Sequence, residues 1–467
     1  MKKIVFYLLL GFVVFLPLGC EDNDDNLIPS SLQSKDFVWK GMNLYYLWQE
    51  QIDNLADDRF ATQNELNTFL KEFTSPSTLF TSLLYERATV DKYSVIFSDY
   101  SVLEGVLTGN TKNNGVDFAI RRKPGSTTEV YGWVRYIIPG SDAASKDIQR
   151  GDLFYAINGT SLNIDNYLDL ISTDSYTLNL ADYNGGAITP NGQSVALTKT
   201  VLAENPILVN SVLTEGDKKI GYLMYNGFFS AYDNQLNTVF GNFSAQGVTD
   251  LVLDLRYNSG GAVTSATKLA SMITGQFDGQ LFAREQWNSK AQAYFLANNP
   301  TRLENKFVSG LNGLNLTKVY VLTSKSSASA TELVINCLKP YIQVVQIGDV
   351  TAGKNVGSIT LYDSPTFAKT DVNKSHKYAM QPIVLKIVNK NGVGDYTAGI
   401  TPDHELFEDM EMLGVLGDGD EKLLNKAITL ITGSGRMTNQ PTEVKQRDLT
   451  DSKALQPLRS EMYVEMK

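Results

Sequence analysis

Three short segments of this chain concentrate residues able to do chemistry. Asp254-Leu255-Arg256-Tyr257-Asn258-Ser259-Gly260-Gly261 ends an apolar strand in a double glycine. Backbone amides there can face a ligand oxygen with no side chain in the way, as an oxyanion hole requires; a tight turn before a helix at 266–273 would use the same residues. Ser326-Ser327-Ala328-Ser329-Ala330-Thr331-Glu332 follows a second apolar strand and precedes a helix. Small residues allow a sharp turn that presents one hydroxyl at the helix N-terminus, where unpaired amides and the helix dipole favour developing negative charge. Ser329 and Glu332 also have the spacing of a capping box, which is a structural reason for the same residues. Gly348-Asp349-Val350-Thr351-Ala352-Gly353-Lys354 puts a glycine-flanked lysine just after a third strand. A phosphate loop needs Ser or Thr after the Gly-Lys pair and a helix opening there. Asn355 and a β context follow instead, so no nucleotide is expected.

The rest of the composition narrows the chemistry. The 467 residues include 41 basic and 51 acidic side chains, a net charge of −10, so there is no cationic surplus to meet a nucleic-acid backbone. Two cysteines, Cys20 and Cys337, and two histidines, His376 and His404, are too few for a zinc cluster, a disulfide framework or a multi-histidine metal site. No metal or other cofactor is expected. One histidine would still suffice for a Ser-His-Asp enzyme.

The elements that must position these segments can be read from periodicity. Lys2 and Lys3 precede an apolar run over 4–18 that stops at Gly19-Cys20, too short to span a bilayer, so residues 1–19 read as a signal peptide. Apolar residues from Phe37 to Phe73 recur at helical spacing and predict two helices, with the aromatic stripe over 43–48 as core. Thr74-Ser75-Pro76-Ser77 breaks that pattern. From 102 to 202 short β runs such as 130–138 are punctuated by turns. From 219 onward strands at 220–225, 251–255, 319–322 and 344–347 alternate with helices at 236–243 and 331–338, which predicts a crossover α/β sheet. After Gly433 the sequence is polar without strong periodicity, a tail or a strap over the surface. The fold class is therefore multi-domain α/β: signal peptide 1–19, tether 20–34, N-terminal helical domain 35–100, β domain 101–203, α/β domain 204–435 and polar C-terminal tail 436–467.

Two resemblances sharpen this outline. Val134-Arg135-Tyr136-Ile137-Ile138-Pro139-Gly140-Ser141-Asp142-Ala143-Ala144, leading into Gly151-Asp152-Leu153-Phe154-Tyr155-Ala156-Ile157-Asn158-Gly159, resembles a PDZ domain. Gly115-Val116-Asp117-Phe118 then falls where that family has its carboxylate-binding loop, with the amides of Val116, Asp117 and Phe118 turned to a peptide C-terminus; a hairpin turn without a ligand is the alternative. Together the three chemistry-bearing segments resemble the C-terminal processing peptidases of serine peptidase family S41, which also carry a PDZ domain ahead of the catalytic domain. Asp91-Lys92-Tyr93-Ser94 is similar to an Asp-x-Tyr-Ser element of that family, and Gly399-Ile400-Thr401-Pro402-Asp403 to its late Gly-Ile-x-Pro-Asp element, followed by Leu416-Gly417-Asp418 and a closing helix at 423–431.

The resemblance implies Ser329 as nucleophile and Lys354 as general base. It implies oxyanion donors from the amide of Ala330 and from Gly260 and Gly261. A lysine acts as base only when neutral, so its pKa must fall from ~10.4 toward ~7 to 8 through burial. No histidine is then needed, and His404 and Cys337 read as structural. The glutamine usual four residues after the lysine is Ser358 here, a candidate orienting residue. The end of the signal region resembles a bacterial lipoprotein signal, which implies lipidation at Cys20 and an acidic tether at 21–25. The expectation is a membrane-anchored serine endopeptidase of the cell envelope, held by lipid in the outer membrane on its periplasmic side or at the cell surface, acting on unfolded or C-terminally recognised polypeptides. Its partners are polypeptide substrates and a membrane, with no nucleic acid or nucleotide. Two alternatives stay open: a weak or inactive peptide-binding surface lipoprotein of the same fold, kept open by Ser358, and a carbohydrate- or hydrophobe-binding scaffold.

Overall fold

Strand-forming runs with no polar alternation need cover on both faces, and the strands that carry the site have it. A six-stranded sheet runs in the order Ile207–Glu215, Lys218–Tyr225, Asp250–Asp254, Lys318–Thr323, Gln343–Gly348, His404–Glu405. The first pair is an antiparallel hairpin, and every later pair is parallel. Alternate residues of the Asp250–Asp254 strand go to opposite cores. Leu251 and Leu253 pack with the helices Asp233–Ala245, Val263–Thr274 and Ala330–Leu338, whereas Val252 packs with the closing helix Lys422–Thr432. The computed structural model describes residues 28–433, 447–456, 458, 460 and 462–465; the signal-peptide reading and the lipidation of Cys20 lie outside them.

The helical pattern after residue 28 yields Gln33–Tyr45, Gln63–Lys71 and a third helix, Pro76–Ser82. The segment expected to break the pattern in fact starts that third helix. Ser75 accepts from the Thr78 amide while the Thr78 hydroxyl accepts from the Ser75 amide, and Pro76 supplies the first helical φ. Phe37, Val38, Met42 and Tyr46 are buried in the same core as Leu251 and Leu333, so the aromatic stripe is packing.

The β unit is an antiparallel sheet in the order Val116–Arg122, Val130–Ile137, Leu153–Ile157, Ser175–Asn184, Ala187–Thr198, with the helix Tyr167–Ser172 beside its own apolar core of Phe118, Val130, Phe154 and Leu178. Its other face is not independent: Tyr131, Trp133 and Tyr136 pack with Tyr222 and Met224 of the central sheet.

A second six-stranded sheet was not visible in the periodicity. It runs Gly261–Ala262, Met462–Tyr463, Val356–Ser358, Ile383–Asn389, Leu281–Trp287, Glu304–Lys306. The stretch expected as a polar tail supplies a strand here and another, Thr450–Asp451, on the outer edge of the β unit. Met462 is fully buried, and Val464 nearly so. Two-residue strands that take partners from other sheets leave no period in their own sequence.

Candidate active site

Ser329 is the residue before the Ala330–Leu338 helix, at φ +63°, ψ −114°. A β-carbon at positive φ is strained, and strain of this kind persists where surrounding contacts over-determine it. The contact that does so is Glu332. Its buried carboxylate accepts from the Ser329 amide at 2.8 Å, the Thr351 hydroxyl at 2.6 Å, the Gly353 amide at 2.6 Å and the Lys354 amide at 2.8 Å. Burial pushes its pKa above the usual carboxylate range, with those four donors pulling the other way. The capping residue is thus also the clamp between the serine turn and the lysine loop. The Ser329 hydroxyl itself is buried and makes no hydrogen bond to any described residue.

Lys354 lies on the loop between the Gln343–Gly348 and Val356–Ser358 strands and is almost fully buried. Its Nζ donates to the Ser460 carbonyl at 2.5 Å and sits 4.5 Å from the centroid of the Tyr93 ring. Gly353, at φ +97°, lets the loop approach the Thr397 carbonyl where a methyl group would overlap it. Across the site, the Gly260 amide is taken by the Asn258 side chain at 2.8 Å, which removes it as an oxyanion donor. Ala330 remains, and Gly261 lies on a strand already paired with Met462–Tyr463. Gly261 is at φ +138°, with a close Phe228 carbonyl that excludes any β-carbon, and Ala330 opens a helix whose first amides have no intrahelical acceptor. A strained serine, a buried lysine and amides from a glycine and a helix start make the parts of an acyl-transfer site.

Residues 219–406 match the model of peptidase family S41, and residues 33–97 match that of the peptidase S41 N-terminal domain. The chain carries a peptidase family S41 domain. Curated relatives include a chloroplastic C-terminal processing peptidase of Tetradesmus obliquus, 24% identical over 57% of this chain and 55% of that protein. A carboxyl-terminal-processing protease of Picosynechococcus is 22% identical over 63% of this chain and 65% of that protein. A crystal structure from Bacteroides fragilis assigned to the S41 proteases is 26% identical, with a TM-score of 0.65 over 85% of this chain and 97% of that one. The chain spans 55 to 65% of the length of the curated relatives it matches.

Around the S41 domain, the Asp91-Lys92-Tyr93-Ser94 element positions the ring that meets Lys354. Asp91 accepts from the Tyr46 hydroxyl at 2.7 Å and from the amides of Tyr93 and Ser94, and Ser94 accepts from the Ile383 amide. Ser358 Oγ donates to the Met462 carbonyl at 3.2 Å and accepts from Gln381 Nε2 at 3.1 Å. A glutamine does therefore stand behind Ser358, contributed by the neighbouring strand Ala379–Gln381. Sequence reasoning missed it because it lies far from the lysine in sequence, and missed Glu332 as anything beyond a helix cap.

Of Gly115–Phe118, expected as a loop, Val116–Phe118 instead opens the Val116–Arg122 strand; the amides of Gly115 and Val116 donate to the side chains of Asn113 and Asn114, and that of Phe118 to Ser452 Oγ at 3.4 Å. Asp117 is buried and paired with Arg135 at 2.5 Å. An incoming carboxylate would have to displace these partners.

His404 pairs with Ile347 at the sheet edge, and His376 bonds Asp363 at 2.8 Å, so each has a structural setting. Cys337 is buried in the helix, which pushes its thiol pKa well up and leaves it inert. No group of His, Cys, Asp and Glu able to hold a metal occurs among the described residues.

Proposed function

We propose that this chain is a serine endopeptidase in which Ser329 attacks the peptide carbonyl and Lys354 takes its proton. The observation that carries the reading is the Glu332 carboxylate, which holds the Ser329 amide and the Lys354 amide on one side chain and so fixes nucleophile and base loop to each other. In the first step the serine oxygen bonds to the carbonyl carbon, its proton moves to the neutral lysine amine, and the oxyanion is received by the amides of Gly261 and Ala330. The ammonium then returns the proton to the leaving amine. Water, deprotonated by the same lysine, hydrolyses the acyl-enzyme and regenerates the serine. The Tyr93 ring lies against the lysine amine.

The substrate class we propose is unfolded or C-terminally recognised polypeptide, gripped by the 101–203 unit acting as a PDZ domain. The Val116–Arg122 strand has the flanking helix Tyr167–Ser172, and its outer edge, where Thr450–Asp451 now pairs, is the place a peptide strand would take. We also propose lipid anchoring through Cys20 at the outer membrane, with no described helix long and apolar enough to cross a bilayer. Cys20→Ser should move the protein into a detergent-depleted aqueous phase; unchanged partitioning counts against the anchor.

A second reading, a peptide-binding protein without turnover, is favoured by two features: Lys354 Nζ is bonded to a backbone carbonyl of its own chain, and the serine hydroxyl has no described partner. Hydrolysis of a disordered protein by the chain from residue 21 onward, set beside Ser329→Ala, decides between them. Turnover lost in the variant supports the peptidase; equal rates refute it.

A further inference from the structure

The described residues from 447 to 465 follow a track across the S41 domain and the β unit. Asp448 pairs with Arg121 at 2.6 Å and accepts from Trp133 Nε1 at 3.1 Å. Thr450–Asp451 then adds antiparallel to the Val116–Arg122 strand, with Thr450 opposite Ile120 and Asp451 opposite Ala119, and the Ser452 amide donates to the Phe118 carbonyl at 2.9 Å. The direction is toward the Gly115–Phe118 loop. Leu455 packs on the β-unit core, and beside it Ser452 and Leu455 line a cavity of about 600 Å³ together with Val116, Phe118 and Ile171.

The same segment continues into the catalytic groove. Ser460 offers its carbonyl to Lys354 Nζ, and Met462–Tyr463 lies as a strand between Gly261–Ala262 and Val356–Ser358, parallel to both. The Val464 amide donates to the Ser358 carbonyl at 3.0 Å. These partners are the lysine and the glycine of the proposed catalytic centre. Between the two contacts, Asp451 accepts from Ser326 in the serine turn and from the buried Arg135 at 3.4 Å. Strand addition is the general mode by which extended peptides are held; Thr450–Asp451 adds at the edge of the β unit, and Met462–Tyr463 fills the place between two strands of the second sheet.

We propose that the described residues between 447 and 465 act as an intramolecular peptide ligand that occupies the polypeptide track of this molecule, from the edge of the Val116–Arg122 strand to the groove between Gly261 and Ser358. They hold the catalytic centre closed until a polypeptide that pairs with the Val116–Arg122 strand displaces them. Tethering sets the effective concentration of such a ligand in the millimolar range, so weak contacts suffice to keep it seated. The identity of the displacing partner rests on the proposed peptidase function; the occupation itself does not.

The test loosens the segment at either end in the full chain, by Asp448→Ala at the β unit and Val464→Pro, which deletes the amide bonded to Ser358. Each variant is compared with the unsubstituted chain for labelling of Ser329 by a fluorophosphonate and for hydrolysis of a disordered protein. Both rates should rise at least tenfold in a variant that keeps its circular dichroism spectrum. A second readout needs no activity: a fluorescein-labelled peptide of residues 447–465 should bind Ser329→Ala at least tenfold more tightly, by anisotropy, when that chain also carries either loosening substitution. Equal affinity with and without the loosening substitutions overturns the inference. Absence of labelling and hydrolysis in every variant, with the affinity difference intact, instead overturns the peptidase reading and leaves the self-occupied track standing.

Discussion

At the scale of single residues the site depends on groups that cannot be exchanged for near neighbours. The Ser329 hydroxyl makes no bond to a described residue, so Ser329→Ala leaves no partner unsatisfied. It should abolish hydrolysis with an unchanged melting temperature, checked by calorimetry beside a peptide assay. Lys354→Met keeps the stem and deletes the proposed base. It should lose as much activity as Ser329→Ala, with no further loss in the double variant, because the proposed pair would act as one unit. Ser358 differs, since its hydroxyl faces Gln381 and the Met462 carbonyl. Ser358→Ala should slow kcat about 10-fold, the effect of about one neutral hydrogen bond, ~1.4 kcal/mol. Full activity in that variant would leave Ser358 a passive neighbour.

At the scale of elements, the two-residue strand Gly261–Ala262 has little room to vary. A β-carbon at Gly261 would combine a disfavoured φ with overlap of the Phe228 carbonyl. Gly261→Ala should therefore lower kcat by about 10² to 10³, the range for loss of one oxyanion donor, while KM changes far less. Steady-state kinetics on a chromogenic peptide reads this directly, and a kcat within threefold of the unsubstituted chain would remove Gly261 from the oxyanion site. The helix Ala330–Leu338 and the strands around it were legible in advance because each is a buried run ended by glycines or small residues. The third N-terminal helix was not: Ser75 and Pro76 are a helix start that reads as a break when only the apolar spacing is followed.

At the scale of the whole molecule, a buried charge network joins the β unit to the central sheet. Arg150 from the β unit and Arg256 from the end of the Asp250–Asp254 strand both bond Glu408, at 2.8 Å and 3.2 Å, and Arg256 also grips Glu421 at the cap of the closing helix. Burial alone would raise the Glu408 pKa, but the two guanidinium groups pull it down to about 2 from an ordinary value of 4.5. A depressed carboxylate contributes stability that is complete above its unfolded pKa and is lost as pH falls through the folded one. The window is therefore pH 4.5 down to about 2. The difference corresponds to about 3 kcal/mol, so Glu408→Gln should unfold in less urea by that amount at pH 7, with the gap closing toward pH 2. A gap independent of pH would assign the loss to packing instead.

The comparison of scales also shows where sequence information ends. Apolar runs, glycine pairs and a Ser-Ala-Ser-Ala turn are local features, and their meaning survives without any partner; from them the α/β class, the serine turn, the lysine loop and the helix that follows could be read directly. Glu332 facing Lys354, Gln381 behind Ser358, Tyr93 over the lysine and the occupation of the groove by Met462–Tyr463 depend on segments far apart in the chain. Polar contacts of that kind leave no periodicity, because a hydrogen bond selects a partner by position in space and a short added strand takes its register from the sheet it joins. Residue chemistry and chain-local order are thus written in the sequence of this protein, and which groups meet, and which segment fills the site, was decided only by the packing of its sheets.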